Sequence, residues 1–256
     1  MSKEFANVYQ DQARADAYAQ LEFPGTYFLA FRDLPTLFHE HVRGQLALDF
    51  GCGTGRSTRF LRGLGFRPIG VDVADSMLGR ARELDPQGEY RLVGDGDLSG
   101  LPEATYDLIL STFTFDNIPT LDRKAALLGS LRLCLKPSGR LVNLVSTPDI
   151  YVNEWASFST RDFPENRLAR SGGRVRIVML DVGDRRPVED IVCSDEDYVR
   201  LYAAAGLEVV ARHYPLGHPT DGIAWVSETT VAPWAIYVLA PYSSEERLIT
   251  GAPEGR

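Results

Sequence analysis

Between Leu46 and Ser146 the chain alternates short apolar runs with segments of helical spacing, and that rhythm excludes most architectures at once. LALDF (Leu46–Phe50), RPIGVDV, YRLVGD, YDLILST and GRLVNLVS read as strands. Ser57–Leu64, Ser76–Leu84 and Asp122–Leu135 read as intervening helices, the last stopped by Pro137 and Gly139. Alternating units of this length build a parallel sheet with helices on both faces. Right-handed crossovers then bring the strand C-termini to one edge, where open α/β sheets take their ligands.

On either side the rhythm changes. Phe5 to Gln20 has helical spacing, Phe23–Phe28 is an aromatic Pro-Gly turn, and Leu34–Val42 reads as a second helix. After Ser146, RVRIVML and PVEDIVC flank GDRR and predict a β-hairpin. A helix over Asp195–Ala205, ended by Gly206, precedes LEVVARHY and APWAIYVLAP, two strands that can pair antiparallel. The expectation is one α/β domain: a doubly wound, mostly parallel seven-stranded sheet with helices on both faces. Its last strand is antiparallel, and a β-hairpin insertion follows strand five. Its parts are a helical cap (1–45), a core (46–146), an insertion (147–193) and a C-terminal helix with strands (194–242).

Composition removes several functions. The 256 residues carry a net charge of -8 and no run of Lys or Arg, so a nucleic acid partner is disfavoured. The three cysteines, Cys52, Cys134 and Cys193, are far apart and have no CxxC or CxxH partner, so neither a disulfide framework nor a metal site is expected. No signal peptide or membrane span is evident, which predicts a cytoplasmic protein, monomer or homodimer.

The richest segment is LALDFGCGTGRST, Leu46 to Thr58, where a buried strand enters Gly51-Cys52-Gly53-Thr54-Gly55 and a helix leaves. Glycines are needed where the backbone turns sharply or where a ligand lies against bare main chain. Free amides at a helix start attract an anionic group, phosphate or carboxylate alike. The dinucleotide fingerprint G-x-G-x-x-G/A is not met, because the third glycine is misplaced, and the Gly-Lys-Ser/Thr ending of a phosphate loop is absent.

In these residues the chain resembles the class I, Rossmann-like S-adenosylmethionine-dependent methyltransferases of small-molecule type. LDFGCGTG looks like their first motif, which implies that Asp49, Gly51, Cys52, Gly53 and Gly55 surround the methionine part of S-adenosylmethionine. GVDVADSML matches the second, so that Asp72 takes the ribose hydroxyls while Val73 and Met77 flank adenine. GDGDLSGLP matches the third: Asp95 or Asp97 would accept from the adenine amino group, with an amide of the Gly96–Leu98 turn for a ring nitrogen. YDLILSTFTFDNI supplies the fourth, with Thr112 at the strand exit near the ammonium of the cofactor. KPSGRLV is the turn before strand five. Tyr9 and Tyr18 resemble aromatics that close over the cofactor. The resemblance covers roughly residues 46–146.

What it implies is methyl transfer to an O, N or C atom of a small-molecule acceptor, with the insertion on the substrate side. Where the acceptor must lose a proton, a base above the strand ends is needed. His218, in the loop HYPLGHPTDGIAWVSE with His213, Asp221 and Glu228 nearby, is the candidate catalytic residue. His39 and His41 read as surface residues. Tyr151, Trp155, Phe158 and Phe163 could wall a pocket for a planar, aromatic acceptor. Two other readings stand beside this one: an NAD(P)-dependent oxidoreductase, and a non-catalytic S-adenosylmethionine-binding domain. A protein or RNA methyltransferase is disfavoured, because STFTFDN stands where an Asn-Pro-Pro-Tyr type motif would be.

Overall fold

The computed structural model describes Asp16, Ala19 and residues 21–242. Phe5–Gln20 therefore lies almost wholly outside the described residues, and Tyr9 and Tyr18 with it. Helices α1 (Thr26–Arg32) and α2 (Leu34–His41) lead into strand β1 (Leu46–Phe50). Then come α3 (Arg56–Gly63), β2 (Arg67–Asp72), α4 (Asp75–Leu84), β3 (Glu89–Leu92) and β4 (Tyr106–Thr112). Helix α5 (Leu121–Cys134) and strand β5 (Leu135–Ser146) complete the alternating part.

The main sheet has seven strands in the order β3-β2-β1-β4-β5-β10-β9, where β9 is Leu207–His213 and β10 is Trp234–Pro241. Pairing is parallel from β3 to β5, and β10 runs antiparallel to both β5 and β9. β4 is buried along nearly its whole length, which explains its apolar stretch Leu108–Leu110; Asp107, buried with it, is paired with Lys136 at 2.7 Å and accepts from Leu46 N. One face packs Ala47, Leu108, Leu110 and Val142 against α1 and α2; the other packs Leu48, Ile109 and Leu141 against α5 and α6 (Asp195–Ala204).

Three features depart from expectation. The Pro-Gly turn is present, but the aromatics that follow it begin α1 at once: Gly25 sits at φ 48° against Ser157, where a Cβ would meet Oγ at 2.3 Å. β5 starts at Leu135 and not at Gly139, its pairing with β4 continued through an irregularity between Tyr106 and Leu108. The hairpin β7 (Arg174–Met179) and β8 (Val188–Ile191) is joined by β6 (Phe158–Ser159) into a separate three-stranded antiparallel sheet. That small sheet packs Val175, Ile177, Met179 and Val188 into the same apolar cluster as α1 and Trp234, and so lies over one end of the main sheet. Among the described residues no helix is long and apolar enough to cross a membrane.

Candidate active site

The register β1 Phe50 opposite Val71 and Ser111 sets three chain ends side by side: the glycine loop, Asp72 and Thr112. The amides of Gly51 and Cys52 both donate to the Val71 carbonyl, at 2.8 and 3.0 Å, which folds the loop towards β2. Asp49, fully buried, anchors it from below: its Oδ2 accepts from Ser57 Oγ and Thr58 Oγ1, each at 2.6 Å. Burial outweighs those two donors and pushes the Asp49 carboxyl up to about 6. Asp49 Oδ1 has no partner among the described residues.

The three loop glycines have different reasons. A Cβ on Gly51 would meet Thr114 Oγ1 at 2.2 Å, and one on Gly55 would meet the Tyr90 hydroxyl at 2.5 Å. Those two glycines let protein pack on protein. Gly53, at φ 53°, faces open space, and its amide donates to Asp72 Oδ2 at 2.8 Å while Ala74 N donates to Oδ1. Bare main chain and a carboxylate, bonded to each other, therefore line one crevice.

Phe50, Gly51, Gly53, Asp72 and Thr112 line this crevice at one end. Val73, Met77 and Val93 form its apolar side, and Phe113, Thr114 and Asn117 its far wall. Desolvation raises the Asp72 carboxyl against the pull of the backbone amides that bond it. Phe113 is in the left-handed region at φ 62°, a conformation costly for an aromatic residue and concentrated at functional sites. Its amide donates to Leu144 O, and the one-turn 3-10 helix Thr114–Asn117 follows immediately.

Expected residues are divided by this geometry. Gly51, Gly53, Asp72, Val73, Met77 and Thr112 line the crevice. Asp49, Cys52 and Gly55 lie beneath or behind the loop: the Cys52 side chain is buried with Leu78, Ala81 and Tyr90. Asp95, Gly96, Asp97 and Leu98 are not in the lining. Asp95 is exposed and pairs with Arg123 at 2.6 Å, Asp97 accepts from Ser99 N, and Leu98 is buried in the core. Tyr18 lies outside the described residues. His218 is exposed and engaged in its own turn, Nδ1 at 2.7 Å from Thr220 Oγ1 and the carbonyl accepting from Trp225 Nε1. It lines neither the crevice nor the cavity described next. His213 meets Asp33 at 2.7 Å, which ties β9 to the start of α2.

Phe113 and Asn117 also wall a second, narrower cavity between the main sheet and the small one. Its apolar side is Tyr27, Phe158, Ile177, Met179 and Trp234; its polar end is Asp116, Ser146 and Asp190. Phe158 is the one of the four insertion aromatics in this lining. Tyr151 is buried behind it and donates its hydroxyl to Asp190 Oδ2 at 3.1 Å, while Trp155 donates Nε1 to Ile150 O. Phe163 lies under the Arg176 guanidinium at 4.5 Å.

Asp116 and Asp190 were not singled out in the sequence. Asp190 did leave a trace: in VEDI it occupies the same strand face as Val188, an acid on an apolar stripe. Asp116 left none, since it follows a strand exit rich in polar residues. Phe113, Thr114 and Asn117 stood within STFTFDN, but nothing in residue type separated them from loop.

A methyltransferase-domain family model matches residues 48–143, the segment that builds the crevice. The chain is 36% identical over 102 residues to the demethylmenaquinone methyltransferase of Tropheryma whipplei, a match that takes in 39% of this chain and 41% of that protein. The chain thus spans about two fifths of the length of the curated relatives it matches. The solved CcbJ methyltransferase of Streptomyces caelestis superposes with a TM-score of 0.64 at 19% identity, over 92% of this chain and 98% of that one. A Burkholderia thailandensis 1,6-didemethyltoxoflavin-N1-methyltransferase, solved with 1,6-didemethyltoxoflavin and S-adenosylhomocysteine, gives 0.51 at 17% identity, over 84% and 79%. Residues 48–143 thus match a methyltransferase domain, and the whole described fold is shared with solved S-adenosylmethionine-dependent methyltransferases.

Proposed function

We propose that the chain transfers a methyl group from S-adenosylmethionine to an O, N or C atom of a small-molecule acceptor. The observation that carries this reading is the crevice at the strand C-termini, which shares Phe113 and Asn117 with a second cavity. Two ligands can meet across such a shared wall. The residues suit an adenosyl group: Asp72 has acceptor capacity left beyond its two amide donors, and Val73, Met77 and Val93 offer an apolar slot for a ring. Gly53 leaves room where the methionine part would lie. When bound, S-adenosylmethionine supplies an electrophilic methyl on a positively charged sulfur.

The chain's own contribution is positioning. Holding two reactants in line can supply about 7–11 kcal/mol of a barrier. Phe113 and Asn117 sit at the junction, and the ring of Phe113 packs there against Tyr27 and Trp234, apolar surfaces that disfavour water. Residues 147–193 are assigned to the acceptor side of one domain, because β6–β8 supply Phe158, Ile177, Met179, Val188 and Asp190 to the second cavity. No base is assigned to His218, whose ring is turned to its own loop.

The test is calorimetry with S-adenosylhomocysteine. Asp72→Ala should weaken binding at least tenfold and leave the fold intact by circular dichroism. For the parent protein, ligand at about 100 times its Kd should add roughly 2.7 kcal/mol of stability, while NADH adds none. Equal affinity in parent and variant, or protection by NADH in place of S-adenosylhomocysteine, would overturn the assignment.

A further inference from the structure

We propose that the second cavity receives a basic amine, its ammonium seated between Asp116 and Asp190 and its carbon frame against Tyr27, Phe158 and Trp234. This rests on the methyl-transfer reading and names the acceptor class.

The charged residues in the lining are both acids. Asp190 is 7% exposed, with Oδ2 accepting from Tyr151 and Oδ1 buried without a partner among the described residues. An unsatisfied buried oxygen on a carboxylate is costly, and the side chain lines a cavity large enough to offer it a donor. Asp116 is 4% exposed and accepts the Ser146 amide on both oxygens, at 3.0 and 3.3 Å. The nearest cation, Lys124, stands outside the lining and donates to the Phe115 carbonyl.

The apolar walls repeat the preference. Trp234 lies 4.7 Å from Phe113, 5.7 Å from Phe158 and 6.3 Å from Tyr27, ring centre to ring centre. Its indole is fixed by a bond from Nε1 to Thr26 O, and the Tyr27 hydroxyl is fixed on Met179 Sδ. Rigid aromatic faces attract cations, and more strongly when desolvated. An alcohol or phenol can donate one neutral hydrogen bond, as Tyr151 does to Asp190 Oδ2, but brings no positive charge to set against two carboxylates, and an ionised acid is repelled by them.

An ammonium nitrogen has no free electron pair. For it to act as a nucleophile one N–H bond must break, its electrons staying on nitrogen and the proton passing to Asp190 Oδ1. Burial raises both carboxyls above the ordinary range, so a proton is held there more readily than on a surface acid. Lys124 partly offsets this, while Glu189 and the neighbouring carboxylate reinforce it at Asp190.

The experiment uses the full chain saturated with S-adenosylhomocysteine and two matched probe pairs, benzylamine with benzyl alcohol and cyclohexylamine with cyclohexanol, titrated by calorimetry. Each amine should bind at least tenfold more tightly than its alcohol. Asp190→Asn, close in shape, should remove most of that preference and leave S-adenosylhomocysteine affinity within twofold; Asp116→Asn should reduce it too. Equal affinity for amine and alcohol in the parent, or a preference that survives both substitutions, overturns the proposal. No binding of S-adenosylhomocysteine to the parent overturns the methyl-transfer reading itself, and this assignment with it.

Discussion

At the residue scale, the glycine loop separates two uses of the same amino acid. Gly51 permits close packing, so Gly51→Ala sets a Cβ against Thr114 in a left-handed backbone and should cost more than about 2 kcal/mol. Gly53→Ala meets no atom and should cost about 1 kcal/mol, yet weaken S-adenosylhomocysteine at least tenfold by filling the crevice. Urea unfolding and calorimetry on the two variants check both halves. Asp49 makes a prediction in pH. Its carboxyl is raised to about 6 in the fold, so between the unfolded value near 4 and 6 the native state binds the extra proton. Stability from this group is therefore present below about pH 4 and lost as pH rises through 6. Facing groups are Ser57, Thr58, Arg56 and Asp72. Asp49→Asn should remove this dependence, gaining roughly 2–3 kcal/mol on the parent between pH 4 and pH 8 in urea titrations.

At the scale of elements, the sequence carried most of the alternating core and little of what lies above it. β4 was legible to the residue because a strand buried on both faces leaves adjacent apolar residues, Leu108–Leu110, in spite of the paired Asp107. Strand β6 is two residues long and has no periodicity to read; only tertiary pairing with Met179 and Val178 makes it a strand. The crevice was legible through Gly53, Asp72, Val73, Met77 and Thr112, since short-range motif spacing fixes those strand ends. The second cavity was not: Tyr27, Asp116, Asp190 and Trp234 are brought together by tertiary packing, across separations no local pattern encodes. Glu228 illustrates the gap. Read as a neighbour of a base, it is fully buried and accepts from Thr26 Oγ1, Ala156 N, Val226 N and Ser227 N. It joins α1, the insertion and the approach to β10. Glu228→Ala should cost about 3–5 kcal/mol, because buried donors left unpaired lose roughly 1–3 kcal/mol each. Chemical denaturation measures it; a loss under 1 kcal/mol would show that the join is not structural.

At the scale of the whole molecule, a parallel sheet sets its strand ends along one edge, and the small sheet roofs the edge where β4, β5 and β10 meet. Phe113 lines both the crevice and the cavity, so its strained backbone would part the two proposed ligands. The most direct measurement is a crystal structure of the chain grown with S-adenosylhomocysteine. The account predicts the ribose hydroxyls on Asp72, the base against Val73, Met77 and Val93, and the sulfur directed past Phe113 towards Asp116 and Asp190. Ligand density elsewhere, with the crevice lined by Gly53, Asp72, Val73 and Met77 filled only by solvent, would contradict it.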